Sequence, residues 1–273
     1  MTSVQRVLAY TKLEPEKGRN LRNDAPQEWP HSGAIQFKNV SVRHYEDGPN
    51  ILKNLSFEVN ASEKIGIAGR TGAGKSSLVA ALMRMAETDG EIIVDNINIM
   101  KLNVFSSRRN ISIISQFPML ISNSIRVNLD PFKMFKDSEI WDALDQMQMK
   151  TTISSLPQQL ESEIISSSSG FSVGEKQLFH LARVLLRKSK IIVFDEATGK
   201  VDETTDEIIQ TVIRDVFRDC TVITIAHRLS TILDCDRIMV LDRGAIVEFD
   251  KPEVLLEKED GVLKQLYKVS AGI

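Results

Sequence analysis

Apolar and polar residues alternate along Ile35-Gln36-Phe37-Lys38-Asn39-Val40 and again along Leu55-Ser56-Phe57-Glu58-Val59, the period of strands with one buried face. Glu46-Asp47-Gly48-Pro49 between them predicts a turn. An apolar strand from Ile65 to Ala68 then runs into a glycine-rich stretch, after which Leu78, Ala81, Leu82 and Met85 recur at helical spacing. Further strands are predicted at Gly90-Glu91-Ile92-Ile93-Val94-Asp95 and at Ile111-Ser112-Ile113-Ile114-Ser115-Gln116. From Phe117 to about Lys188 the pattern turns helical and loop-like, with a short serine tract at Ser166 to Ser169. Within it, Leu178, Leu181, Ala182, Leu185 and Leu186 mark an amphipathic helix that opens at Gly170-Phe171-Ser172-Val173-Gly174-Glu175. Buried strands return at Ile191 to Phe194, at Val222 to Ala226 and at Arg237 to Leu241, and the last ends in the turn Asp242-Arg243-Gly244. Val254, Leu255, Leu256, Val262, Leu263 and Leu266 predict one or two short surface helices. Residues 1–33, punctuated by Pro15, Gly18, Pro26, Pro30 and Gly33, read as an extended linker with one helical end at Ser3 to Tyr10.

The chemistry concentrates where the first parallel-type strand ends. Gly69-Arg70-Thr71-Gly72-Ala73-Gly74-Lys75-Ser76 fits the phosphate-binding loop pattern, with Gly69, Gly74, Lys75 and Ser76 in its fixed places. Glycines let backbone N–H groups turn inward around phosphates, and the helix opening at Lys75 adds the positive end of its dipole. Lys75 would reach the β and γ phosphates, and the Ser76 hydroxyl would hold Mg²⁺. A chance glycine turn is the competing reading; the strand before the loop and the helical spacing after it weigh against that. Asp195 and Glu196 sit at the carboxyl end of a buried strand, where ligands of open α/β sheets bind. Asp195 suits organising Mg²⁺ through water and Glu196 taking a proton from an attacking water; two solvated acids would be the plain alternative. The start of the helix near Ser172 is either an ordinary N-cap or an anion site. His227 closes another buried strand, as a core histidine or as a phosphate contact.

Bulk properties change this picture little. A chain of 273 residues with 42% apolar content can bury a sizeable core, as one large α/β domain or two lobes. The net charge of −3 and the dispersed basic residues argue against a nucleic-acid surface. Cys220 and Cys235 have no metal-type spacing, which suits a reduced cytosolic setting. No apolar run approaches the eighteen or so residues that cross a bilayer.

Taken in order, the phosphate loop, Gln116, Phe171 to Glu175, Asp195-Glu196, Asp202 and His227 resemble an ATP-binding cassette domain over nearly the whole chain. Gly69 to Ser77, Asn128-Leu129-Asp130-Pro131-Phe132 and Phe171-Ser172-Val173-Gly174 are more closely similar to the second nucleotide-binding domain of subfamily C exporters, of the short, two-membrane-domain multidrug-resistance-associated type. The resemblance implies an α/β fold: a phosphate-loop NTPase core with a mostly parallel sheet, an antiparallel β subdomain and an inserted α-helical subdomain. It places the linker from a membrane domain at 1–33 and the ATPase domain at 34–273. Core segments are then 34–116 and 189–250, the helical subdomain 117–188 and the C-terminal helices 251–273. The segment Ser3 to Glu14 looks like the stretch leaving the last transmembrane helix.

Roles follow from the same resemblance. Gly69, Arg70, Thr71, Gly72, Ala73, Gly74, Lys75, Ser76 and Ser77 would hold the phosphates of ATP. Ser76, Gln116 and Asp195 would hold Mg²⁺, Glu196 would be the general base, and His227 would contact the γ-phosphate. Gln116 would also sense the membrane domain, and Asp202 would belong to a loop that crosses to the partner domain. Ser172, Val173, Gly174 and Glu175 would close over ATP held by the partner. The implied partners are the first nucleotide-binding domain and the transmembrane domains of one transporter, with no nucleic acid, at the cytoplasmic face of a membrane, expected to be the plasma membrane. The implied activity is MgATP hydrolysis driving export of organic anions or xenobiotics, weak or absent in the isolated domain. The alternatives are a nucleotide-gated regulatory module of the same subfamily and, fitting poorly, a soluble DNA-maintenance ATPase.

Three departures qualify the resemblance. The aromatic that would stack on adenine falls at His44, with Tyr45 one step on as the better π surface; only one of two adjacent strand residues can stack unless the strand is bulged. Val173 and Glu175 replace the usual glycine and glutamine, and Glu175 would bring negative charge towards a triphosphate unless turned away or protonated. Gly199 and Lys200 loosen and charge the loop before Asp202.

Overall fold

A computed structural model describes residues 2–164, 170–195, 201–225 and 229–271. The exposed helix α1 (Ser3–Thr11) leads to β1 (Ile35–Arg43), β2 (Leu52–Val59), β3 (Lys64–Ala68) and α2 (Lys75–Leu82). Then come β4 (Glu87–Val94), β5 (Ile97–Asn98), α3 (Val104–Arg109), β6 (Ile111–Ser115), β7 (Asn123–Ser124) and α4 (Ile125–Leu129). A helical stretch follows: α5 (Asp137–Gln146), α6 (Lys150–Ser154), the short β8 (Glu163–Ile164) and α7 (Val173–Arg187). The chain closes with β9 (Ile191–Asp195), α8 (Glu203–Asp215), β10 (Thr221–Ile225), β11 (Arg237–Asp242), β12 (Ala245–Asp250), α9 (Pro252–Glu257) and α10 (Val262–Ala271).

Among the described residues the central sheet has the order β12-β11-β3-β10-β9-β6. All neighbours in it are parallel except the edge strand β12. Ile191, Ile192, Val193 and Phe194 are buried on both faces, as parallel strands covered on both sides require. A smaller antiparallel sheet, β2-β1-β4-β5, packs Phe37 on Phe57 with ring centroids 4.5 Å apart. The apolar core shared by this sheet, α2 and one face of the central sheet includes Ile67, Leu78 and Val193. The opposite face contributes Ile192 and Phe194 to a second core built largely from α5 and α7. This is the α/β class with a mostly parallel sheet, an antiparallel sheet and inserted helices that the resemblance implied.

Some local expectations differ. Met85 does not extend α2 but is exposed, because the helix ends at Leu82 and Arg84 takes a left-handed φ of 55°. That turn buries the Arg84 guanidinium, which donates to the Ile99 and Leu102 carbonyls at 3.0 and 2.7 Å. Four elements, β5, α3, α8 and β12, stand where no element was predicted. The stretch before β1 lies against the domain. The Trp29 indole donates to the Val94 carbonyl, and Asp95 accepts from the N–H groups of Ser32, Gly33 and Ala34 and from the Ser32 hydroxyl. Burial alone would raise the Asp95 carboxyl, but these donors outweigh it and hold it below the ordinary value.

Candidate functional site

Parallel register puts the chemistry on one edge. Ile67 pairs with Ile225, Ile225 with Asp195, and Asp195 with Ser115, so one row crosses β3, β10, β9 and β6 just where each strand ends. The phosphate loop leaves the first of these strands, Asp195 ends the third, and Gln116 follows the fourth. Glu196 and His227 lie outside the described residues, as do Gly199 and Lys200.

The loop has the backbone that the glycines predict. Gly69, Gly72 and Gly74 have φ of 151°, 81° and 107°, and a Cβ built on Gly74 would stand 2.5 Å from Leu52 Cδ2. Lys75 Nζ curls over the loop and donates to the Gly69 and Arg70 carbonyls at 2.8 and 3.2 Å. The ammonium is thereby held against the loop that leads into α2, where helix dipole and loop N–H groups favour an anion. A cleft of about 410 Å³ opens here, lined by Thr71, Gly72, Gly74, Lys75, Ser76 and Ser77, and on its other side by Ile51 and His44. Arg70 is exposed and Ala73 is buried at the base of the loop. His44 follows the last residue of β1, so strand alternation no longer governs its direction. Tyr45 is 64% exposed and packs on Gly48, away from the cleft lining.

The donor set suits a hard cation. Ser76, Gln116 and Asp195 would supply one hydroxyl, one amide and one carboxylate oxygen; Mg²⁺ prefers few protein oxygens together with water and phosphate oxygens. No cluster of three or more histidine, cysteine or acidic side chains exists among the described residues to hold a softer metal.

Ser172 to Glu175 stand elsewhere, beside a second hollow of about 420 Å³ lined also by Gln148, Met149, Thr152, Leu178, Thr205 and Ile208. Neither Ser172 nor Glu175 lines the phosphate-loop cleft. Ser172 caps α7: its hydroxyl accepts the Glu175 N–H at 3.1 Å, and the Glu175 carboxylate accepts the Ser172 N–H at 2.8 Å. Glu175 is therefore folded back onto its own helix start. Val173 is exposed, and Gly174 is buried where a Cβ would meet Thr205 Cγ2 at 2.4 Å. Asp202 caps α8 and accepts the N–H and hydroxyl of Thr205, which hold its carboxyl below the usual range.

One group escaped the sequence reading. Gln177, His180 and Arg183 of α7 reach the segment that carries Gln116, and polar residues every third position beside the apolar face of the helix were the available signal.

Comparison with known proteins shows the family and the fold. The model of the family described as ABC transporter matches residues 52–199. The human ATP-binding cassette sub-family C member 4 is 47% identical over 276 residues, covering 100% of this chain and 21% of that protein. The Drosophila melanogaster probable multidrug resistance-associated protein lethal(2)03659 is 47% identical over 264 residues, 95% of this chain and 19% of its own length. The chain thus spans about a fifth of these relatives. Among solved structures, a bacterial Atm1-family ABC exporter with ATP bound superposes with a TM-score of 0.87 at 31% identity, over 98% of this chain and 47% of that one.

Proposed function

Because this chain belongs to the ABC transporter family, we propose that it is the second nucleotide-binding domain of a subfamily C exporter and hydrolyses MgATP to drive export of organic anions or xenobiotics. The observation that carries the reading is the single row Ile67, Ile225, Asp195 and Ser115, which gathers the phosphate loop, the acidic strand end and Gln116 at one edge.

In this reading the N–H groups of Gly69 to Ser77 and the Lys75 ammonium bind the triphosphate, and His44 covers the base from across the cleft. Bound Mg²⁺, held by Ser76, Gln116 and Asp195, supplies charge neutralisation at the phosphates. Glu196 removes a proton from the attacking water, and His227 orients the γ-phosphate. The first nucleotide-binding domain lends its own helix start to complete the site, while Ser172 to Glu175 and Asp202 serve the partner's. Transmembrane domains of the same transporter take up the resulting motion at the cytoplasmic face, which we assign to the plasma membrane. No described helix is long and apolar enough to cross a bilayer.

The test is the transporter containing this chain. Glu196→Gln is expected to keep labelled-ATP binding and to lose nearly all turnover, whereas Lys75→Ala weakens binding itself. Unchanged phosphate release by the Glu196 variant would remove the base assignment.

A further inference from the structure

The segment that carries Gln116 is fastened from the side of α7. Gln177, 1% exposed, donates through Nε2 to the Ser115 carbonyl at 2.8 Å, one residue before Gln116. His180 Nε2 lies 3.1 Å from the Met119 carbonyl, and Arg183 Nη1 reaches the same oxygen at 3.4 Å. Arg183 also grips Asn128, donating to its backbone carbonyl and, at 3.1 Å, to its side-chain oxygen. Asn128 in turn fixes Ile121 from both sides, accepting its N–H at 2.9 Å and donating to its carbonyl at 3.0 Å. The segment is thus fastened at 115, 119 and 121, with Gln116 between the first two points.

The three α7 side chains span six residues, about 9 Å of helix at 1.5 Å per residue. They sit on the helix whose first turn carries Ser172 and Glu175. A hydrogen-bonded helix of this length moves as one body, so displacement of its first turn is carried to the loop. The chemistry of the fasteners is consistent with a fixed geometry. Burial, then the neighbouring Arg183 charge, push the His180 imidazole down to about 4, so it is neutral near pH 7; in the tautomer with the proton on Nε2 it donates to the Met119 carbonyl.

We propose that Gln177, His180 and Arg183 are positioning residues that transmit the position of the partner-facing start of α7 to Gln116, and so set its engagement of the metal and the attacking water. This rests on the proposed ATPase reading. Gln177→Leu and His180→Leu in the full transporter are expected to lower kcat ~10-fold with KM for ATP within ~2-fold of wild type, the size of a lost buried hydrogen bond. His180→Gln, which restores an N–H donor, is expected to recover kcat to within ~3-fold, by the same hydrogen-bond reasoning. Leu181→Ala, a buried residue of the same helix without a polar side chain, supplies the stability control. It should lower the melting temperature as much as the other two while keeping kcat. Loss of kcat that tracks melting temperature across all four variants, or KM rising in step with the loss, overturns the proposal. If wild type hydrolyses MgATP and Gln177→Leu does so equally well, this inference alone fails. If wild type does not hydrolyse it, both readings fall.

Discussion

Glu175→Gln separates two roles that one carboxylate now combines. In the capping box the carboxylate accepts the Ser172 N–H at 2.8 Å, and a glutamine oxygen can do the same. What the substitution removes is charge. At a helix start that charge stabilises by about 0.3–1 kcal/mol, which for a domain of this size lowers the melting temperature by only ~1–4 °C. At the proposed composite site with the partner domain the sign reverses. A unit charge roughly 6 Å from a partner-held phosphate, at an effective dielectric of about 20, costs about 3 kcal/mol before screening. Salt reduces that to ~1–1.5 kcal/mol for a half-exposed group, or about tenfold in affinity. The measurement is labelled-ATP binding at the partner's site in the transporter, alongside thermal melting. Glu175→Gln should tighten binding about tenfold with a small melting loss, on the same electrostatic reasoning. Glu175→Ala, losing the reciprocal bond from the Ser172 N–H as well while keeping the Ser172 cap, should match that gain but melt lower by the further ~1 kcal/mol a hydrogen bond is worth. Unchanged or weaker binding by both variants would refute the reasoning. A gain with glutamine alone would assign the effect to an amide hydrogen bond instead of charge.

Other residues yield independent tests. Gly74→Ala should abolish labelled-ATP binding, because the new Cβ meets Leu52 at 2.5 Å at a φ of 107°; retained affinity would show that the loop tolerates a different path. Asp95→Asn turns an N–H₂ group towards N–H donors and should cost about 2–3 kcal/mol in denaturant melts. Since the folded Asp95 carboxyl titrates below its ordinary 3.8, its stabilisation is complete above about pH 4. It is lost as pH falls through the folded value, so wild type and the Asp95→Asn variant should converge in stability in acid; a constant gap down to about pH 2 would refute this. The carbonyls of Ser62, Phe217, Arg218 and Cys220 surround Lys64 Nζ at 2.7–3.0 Å and share its three N–H donors. Lys64→Met should therefore lower the melting temperature by ~4–8 °C, the effect of about 2 kcal/mol of unpaired carbonyls, and an unchanged melting point would show that water replaces the ammonium.

How much of this was legible in the sequence depends on whether a residue's role is local. The phosphate loop was readable because glycine backbone freedom and a strand-to-helix switch are properties of adjacent residues. The apolar runs at Ile191 and Val222 were readable for the same reason, since burial on both faces leaves no polar period. Strand β12 was not, because at the sheet edge none of its residues is fully buried, Val247 is exposed, and no clean alternation shows. Helix α8 did carry a signal, with Asp202 as N-cap and Ile208, Ile209, Val212 and Ile213 at helical spacing. Ser172 and Glu175, three apart, spelled a capping box, yet comparison with a family pattern cast Glu175 as a departure. Its local function was visible in the spacing alone.

The contacts of Gln177, His180 and Arg183 belong to a different category. Apart from the Asn128 side-chain oxygen, their partners are backbone carbonyls 55 to 64 residues away, and a backbone carbonyl has no residue type by which a sequence could announce it. What a sequence can show is the anomaly on the donor's side: a glutamine, a histidine and an arginine at three-residue intervals, the first buried and the other two half-buried, beside the apolar buried positions of the helix. Buried donors require acceptors. A polar stripe on a core helix therefore predicts that an irregular, carbonyl-exposing segment lies against it. Here that segment is the loop of Gln116, which runs between β6 and β7 and leaves the Met119 and Ile121 carbonyls to side-chain donors.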